Sequence, residues 1–236
     1  MVNREQTSVL SQQLLLTVAE QLKLPLLQIA RQAEIGQLTK TADLQTIQST
    51  ADAALRLLDN YVLGVRLALD QHQLEIEPVS VSAVLYDSGQ ELTRLARTYG
   101  VDLELHIGGR FGTVMANRVG LQSALVSLGS ALIEALPALE QPQLKLQLAS
   151  HRCRYGIVAG LYTDTQQLTA EALRHGRQLM GGSRQPLTGV SHTAGAGIFV
   201  ADSILKAMHL KLQVSRHHGM FGLGTVLAPN HQMQLV

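Results

Sequence analysis

The sequence predicts an α+β protein, in which an N-terminal two-helix hairpin is followed by an α/β sandwich. Two patterns indicate this fold class. Apolar residues recur at heptad spacing within the first 75 residues, whereas residues 78–236 alternate short β-like runs with helical segments. Hydrophobic residues make up 46% of the 236 residues and aromatic residues only 3%, so we expect a core of Leu, Val, Ile and Ala.

The first 75 residues are predicted to form the hairpin. Its first helix has apolar residues at helical spacing around Pro25, and Gly36 with residues 39–43 is expected to supply the turn. The second helix has an a/d seam with steps of three and four residues, formed by Leu44, Ile47, Ala51, Ala54, Leu58, Tyr61, Val65 and Ala68. We therefore expect two copies to pair as a four-helix bundle; the alternative is that the hairpin packs on its own C-terminal part.

Residues 72–78 are predicted to be a linker, after which the apolar period changes. Alternation predicts strands, a helical period predicts helices, and Gly100, Gly108 and Pro137 mark boundaries. The predicted strands are 79–81, 101–107, 113–116, 144–148, 155–162, 210–214 and 224–227, and the predicted helices are 83–99, 121–136, 167–180 and 197–208.

Composition argues against several function classes. The net charge is +1, basic residues form no run and Trp is absent, so the sequence does not indicate nucleic-acid binding. No apolar run is long enough for a membrane span or a signal peptide, and we expect a cytoplasmic protein. Cys153 is the single cysteine and is interpreted as a small core residue.

The nine histidines do not form a predicted ligand set. His217 and His218 are adjacent on a predicted strand, so they are expected to point to opposite faces of the sheet. The sequence therefore predicts no metal site.

Four segments combine turn chemistry with polar side chains. A proline kinks a helix, and small residues at a helix start let a phosphate approach. The segments are Glu20 near Pro25; Ser127, Ser130 and Glu134 on one helix; Asp164 and Thr165 at a strand end; and Gly195 and Gly197 opening the last long helix. Each has a plainer interpretation: a solvated helix residue for Glu20, a cap for Asp164, and close packing for the two glycines.

In this order, the segments resemble the cytoplasmic core of sensor histidine kinases, from about residue 8 to 229. That family joins a dimerising, phospho-accepting hairpin to an ATP-binding sandwich of the gyrase–Hsp90–kinase–MutL type. The matching stretches are AEQLKLPL (19–26) with the phospho-acceptor box, PVSVSAVLYDSGQELTRLARTYGVDLEL (78–105) with the start of the ATP-binding domain, ANRVGLQSALVSLGSAL (116–132) with the N box, Asp164–Thr165 with the D-x-G-x-G box, and GAGIFVADSILKAMHL (195–210) with the glycine box.

The resemblance implies a dimerisation hairpin over residues 1–75 and an ATPase-type domain over 78–236, but key residues differ. Glu20 stands where the family has its phosphorylated histidine. Ser127 and Ala131 replace the two N-box asparagines, one of which holds Mg²⁺, and Gln166 and Leu168 replace glycines. What remains of the nucleotide site is Asp164, Thr165, Gly195 and Gly197, with Asp164 as the family's acceptor for the adenine amino group.

The resemblance and the departures together predict a pseudokinase, a dimeric binding or regulatory protein in two-component-type signalling. A receiver domain or partner kinase is expected to dock on the first helix, through Glu20, Lys23, Gln28 and Arg31. The alternative is a divergent kinase or ATPase that still binds ATP through Asp164 and the Gly195–Gly197 loop. A phosphotransfer role would need a histidine on the hairpin, and residues 1–71 contain none.

Overall fold

The computed structural model describes residues 19, 22–23, 25–40, 43–70, 74–136, 145–164 and 192–230. Helix α1 covers residues 25–39 and helix α2 covers Leu44–Asp70. Gly36 lies inside α1, so the prediction that it supplies the turn is wrong. The reversal instead uses Lys40, with a left-handed φ of 56°, and Asp43, whose Oδ1 accepts a hydrogen bond from the Thr46 backbone N–H at 3.0 Å and caps α2.

The C-terminal part contains three described helices and seven strands. Because α3 begins at Val81, the predicted strand 79–81 is shifted back by two residues. The described elements are β1 (Glu77–Val79), α3 (Val81–Thr98), β2 (Asp102–Ile107), β3 (Val114–Ala116), α4 (Arg118–Ala135), β4 (Lys145–Cys153), β5 (Gly156–Thr163), α5 (His192–Ala207), β6 (Gln213–His217) and β7 (Met220–Leu227). The predicted helix 167–180 lies outside the described residues.

The main sheet has five strands in the order β2-β4-β5-β7-β6. Strands β2 and β4 are parallel, and the other neighbours are antiparallel. Strands β1 and β3 form a separate antiparallel pair. Strand β2 and strand β6 are therefore the two edges of the main sheet.

Helices α3, α4 and α5 cover one face of the sheet, where alternate strand residues join the core. Leu148 on β4 and Leu161 on β5 are fully buried in the same cluster as Leu92 of α3 and Leu128 of α4. As the composition predicts, the core is mainly aliphatic. Cys153 is half-buried at the end of β4 and does not belong to this cluster, so its interpretation as a core residue is wrong.

The C-terminal half of α2 packs on α5 of the same chain. Tyr61 and Leu67 are buried, and a Cβ on Gly64 would lie 2.9 Å from Val200 Cγ1. Two hydrogen bonds hold the connection that follows: the Leu74 N–H donates to the Ala207 carbonyl at 3.1 Å, and Asn117 Nδ2 donates to the Glu75 carbonyl at 2.9 Å. The hairpin therefore contacts its own sandwich, which was the alternative to self-pairing.

The rest of the hairpin leaves large apolar side chains in solvent. These exposed side chains are Leu26, Leu27, Ile35, Leu38, Leu44, Leu55 and Val62. Most of the predicted a/d seam is instead half-buried within the chain, from Ile47 to Leu58. Within the described ranges, no helix combines the length and the apolar character that a membrane span requires.

Candidate functional site

The helices that carry the residues matched to the N box and the glycine box, α4 and α5, pack closely on each other at Gly197. A Cβ on Gly197 would lie 2.6 Å from the Ser127 carbonyl oxygen and 2.8 Å from the Ala131 Cβ. Ala131 is fully buried and Ser127 nearly so. The two positions that the sequence resemblance matches to asparagines therefore lie in a helix–helix contact, and residue 131 offers a methyl group there.

The glycines of the last box do not form a loop. Helix α5 begins at His192, so residues 193–197 open it as predicted, but the helix starts five residues before the predicted Gly197 and both glycines lie within it. The N–H of Gly197 lies in the second turn, where backbone donors are bonded within the helix. Gly197 is required by close packing, because any side chain would collide with α4.

Polar residues on α4 occupy two environments. Ser127 and Ser130 are buried, whereas Glu134 is half-buried near the end of the helix. Burial, reinforced by the negative charge of Glu134, raises the pKa of Tyr99 to about 12. The Tyr99 hydroxyl therefore stays neutral at this end of α4.

Asp164 directly follows β5 and is exposed, while the preceding Thr163 is buried. The carboxylate is therefore accessible at the carboxyl end of a central strand, where a base could meet it. Thr165, Gln166 and Leu168 lie outside the described residues. The structure thus describes three residues of the predicted nucleotide site, Asp164, Gly195 and Gly197, and among them only Asp164 has a polar side chain.

The predicted docking residues are divided between two regions. Lys23 and Arg31 are exposed, Gln28 is half-buried, and Glu20 lies outside the described residues. Gln28 and Arg31 border a cleft of about 650 Å³ between the hairpin and the C-terminal end of α3. Arg94 and Thr98 line the α3 side, and Asp43 and Thr46 line the α2 side. Lys23 does not border this cleft.

A histidine cluster lies on the face of the sheet opposite the helices. His106 Nδ1 is 2.9 Å from His217 Nε2, and the His151 ring stacks on the His217 ring with centroids 4.7 Å apart and an interplanar angle of 15°. The His218 ring meets the His217 ring edge-on at 4.2 Å. Tyr162 adjoins the cluster and donates a hydrogen bond from its hydroxyl to Ser215 Oγ at 3.3 Å.

His217 and His218 point to the same side, so the prediction of opposite faces is wrong. The cause is the backbone of His218, which leaves the strand with a left-handed φ of 47° and turns its ring back toward His217. One ligand nitrogen from each of His106, His217 and His218 lies within 4.8 Å of the other two. The sequence predicted no metal site because side chains were assumed to alternate at His217 and His218. Alternation does not apply in a tight turn.

Two imidazoles of the cluster, those of His217 and His151, favour the neutral form. Burial, reinforced by His151, His218 and His106, lowers the pKa of His217 to about 4. Burial and His218 also lower the pKa of His151. Neutral imidazole has a free ring nitrogen that can accept a hydrogen bond or bind a metal.

Comparison with known proteins supports the fold. No protein-family model matches the chain, and no curated protein matches it. Among solved structures, the Acinetobacter baumannii histidine kinase AdeS matches with a TM-score of 0.53 and 15% identity, over 89% of this chain and 98% of AdeS. Full-length ShkA, solved in complex with AMPPNP, matches with a TM-score of 0.54 and 14% identity, over 79% of this chain and 38% of ShkA.

These similarities confirm the predicted fold class: a helical hairpin followed by an α/β sandwich of the histidine-kinase ATPase type. Sequence reasoning missed the histidine cluster. A signal for it was present in the alternation of β4, because His151 lies on the face opposite to the buried Leu146 and Leu148. No local sequence pattern indicated that imidazoles from β2, β4 and β6 would meet at one place.

Proposed function

We propose that this chain is a degenerate histidine kinase that has lost phosphoryl transfer and acts as a dimeric binding and regulatory protein in two-component-type signalling. The proposal includes two domains: the dimerising hairpin at residues 1–75 and the ATPase-type part at residues 78–236. The observation that carries it is the contact between Gly197 and Ala131.

That contact removes the means of holding a metal–phosphate group. Phosphoryl transfer relies on Mg²⁺ to neutralise charge on the phosphates, and Mg²⁺ takes oxygen ligands. Ala131 has no side-chain oxygen, and it packs against α5 with no exposed surface. Asp164 alone can recognise an adenine amino group, but it cannot anchor the phosphates.

The exposed apolar side chains of the hairpin support self-association. Leu55 and Val62 are seven residues apart on α2 and exposed by 58% and 47%, and Leu44 extends the same stripe. Burying such a stripe is favourable by about 25 cal/mol per Å² of apolar surface. A second copy offers the same stripe, so the pairing is isologous.

Phosphoryl transfer is tested by incubating the full chain with radiolabelled ATP and Mg²⁺, alongside calorimetric titration with the same nucleotide. We expect no covalent label and no binding at micromolar nucleotide. A label on any side chain would refute the loss of phosphoryl transfer. Micromolar affinity without a label would favour the alternative, a divergent protein that still binds ATP.

Docking is tested with purified receiver domains encoded in the same genome. Arg31 is exposed and borders the cleft with Arg94, so the surface is suited to the acidic side of a receiver domain. We expect Arg31→Glu to abolish binding of the receiver domain that the wild type binds. The matched control is Glu34→Arg, a charge reversal at an exposed position of the same helix outside the cleft. Equal binding by both variants would exclude this surface.

A further inference from the structure

The histidine cluster lies above a floor of glycines. On the helix-free face, Gly160 pairs with Gly224, and Tyr162 pairs with Gly222. A Cβ on Gly222 would lie 2.6 Å from Tyr162 Cδ1, so the tyrosine ring crosses β7 where a side chain is missing. Because β5 and β7 have glycines at positions 160, 222 and 224, imidazoles from the edge strands β2 and β6 have room to meet on this face.

The turn between β6 and β7 brings in the third imidazole. His218 and Gly219 both have positive φ, 47° and 82°, which is the pattern of a type I′ hairpin turn. Asn-Gly is the preferred pair for this turn, and His is, with Asn and Asp, among the non-glycine residues that adopt positive φ most often. His218 therefore fits the turn, and its ring reaches His106 and His217 from there.

The three nitrogens are close to a coordination geometry. All lie within 4.8 Å of one another, and the closest pair is 2.9 Å apart. Zinc–nitrogen bonds of about 2.0–2.1 Å place the ligands of a tetrahedral ion roughly 3.4 Å apart, so ring movements of about 1 Å suffice. We propose that His106, His217 and His218 bind a divalent transition-metal ion, with Zn²⁺ as the first choice.

The donor set selects the class of ion. Imidazole nitrogen suits Zn²⁺, Cu²⁺, Ni²⁺ and Co²⁺, whereas Mg²⁺ and Ca²⁺ require oxygen ligands. Binding replaces the hydrogen bond between His106 and His217 by two metal–nitrogen bonds. The ring that donated that hydrogen moves it to its other nitrogen, and the ion releases water. The positive charge of Arg216 is held away from the ion, because its guanidinium stacks on Phe221, 4.6 Å from the ring centroid.

Three imidazoles leave the fourth position of a tetrahedral ion open, as in sites that bind water or an exchangeable group. His218 is exposed, so this position faces solvent. The ion links both edges of the sheet, and a ligand that binds only the folded state raises its stability. The site is separate from the α4–α5 contact and does not depend on nucleotide binding.

The test uses the untagged full chain after chelator treatment, titrated with Zn²⁺ by calorimetry and with Co²⁺ by visible absorption. We expect one ion per chain, the intense spectrum of tetrahedral Co²⁺, and a higher melting temperature with Zn²⁺. His218→Asn keeps a favoured turn residue and removes one ligand. Its affinity should fall by more than about tenfold, the loss caused elsewhere by removing only an outer-shell partner.

The matched control is His209→Asn. His209 is also exposed and has a positive φ of 59°, but it lies in the turn after α5, outside the cluster. We expect its affinity to equal that of the wild type. Absence of wild-type binding at micromolar Zn²⁺, or equal affinities for the two variants, would overturn the proposal. If His218→Asn fails to fold by circular dichroism, His106→Gln is to be judged by the same criterion.

Discussion

Gly197 of α5 lies against the carbonyl oxygen of Ser127 on α4, so closely that a Cβ on Gly197 would stand 2.6 Å from that oxygen. The same atom would lie 2.8 Å from the Ala131 Cβ. Packing at this point therefore occupies the position that the sequence resemblance assigns to a metal-binding asparagine. The contact makes Gly197 a structural residue.

Gly197→Ala is expected to destabilise the protein. Overpacking costs about 1–3 kcal/mol, which exceeds the gain of up to about 1 kcal/mol from the better helix propensity of alanine. The free energy of unfolding, measured in urea, should therefore fall. Gly112→Ala is the control, because nothing lies within 4 Å of a Cβ at that position. Similar stabilities for the two variants would show that the contact is not tight.

Charge on the α2 stripe is expected to prevent self-association. Leu55→Glu combined with Val62→Glu places two carboxylates at exposed apolar positions. Sedimentation velocity should show a dimer for the wild type and a monomer for the variant, with unchanged circular dichroism. Val119→Glu, at a 68% exposed position of α4, should remain dimeric. A monomeric wild type would contradict the proposed pairing.

Asn117→Ala is expected to weaken both α4 and its connection to the hairpin. Asn117 Oδ1 accepts a hydrogen bond from the Gly120 N–H at 2.8 Å, and Nδ2 donates to the Glu75 carbonyl at 2.9 Å. Loss of an N-cap costs about 0.5–2 kcal/mol of stability. Because Asn117→Ala also removes the bond to Glu75, we expect a loss at the upper end of this range. Ser80→Ala removes a longer cap bond of 3.4 Å, so it should cost less in the same thermal unfolding experiment.

The metal-free chain is expected to lose stability as the pH falls from about 7 toward 4. Burial lowers the pKa of His217 from 6.5 to about 4, and the neighbouring His151, His218 and His106 add to the shift. The other titratable neighbour is Tyr162, whose ring lies beside His217. In this range the unfolded chain binds a proton that folded His217 does not, so protonation favours unfolding. Urea unfolding at several pH values should show a shallower slope for His217→Gln. A wild-type stability that rises below pH 6 would contradict this.

Local periodicity was sufficient to predict most of the elements. Alternation in residues 101–107 predicts β2, and the boundary at Gly100 agrees with its φ of 66° just after α3. Boundaries that depend on tertiary contact were less predictable. Gly36 continues α1, and α5 starts before its glycines, because glycine marks both turns and close helix contacts, which a single sequence does not distinguish.

The site was less predictable than the fold. Asp164 was correctly expected at a strand end, since a hydrophobic strand followed by an acidic residue is a local pattern. The meeting of His106 and His217 was not, since they are 111 residues apart and belong to opposite edges of the sheet. Their contact is allowed by the glycines of β5 and β7, and the left-handed turn adds the His218 ring; neither feature has a local relation to His106.

The connection between α2 and β1 also has a mechanical consequence. The bonds from Leu74 to Ala207 and from Asn117 to Glu75 fix the start of this connection on the sandwich, whereas α2 itself is held by the contact of Gly64 with Val200. A larger side chain at position 64 would therefore change the angle between the hairpin and the sandwich while leaving both hydrogen bonds in place.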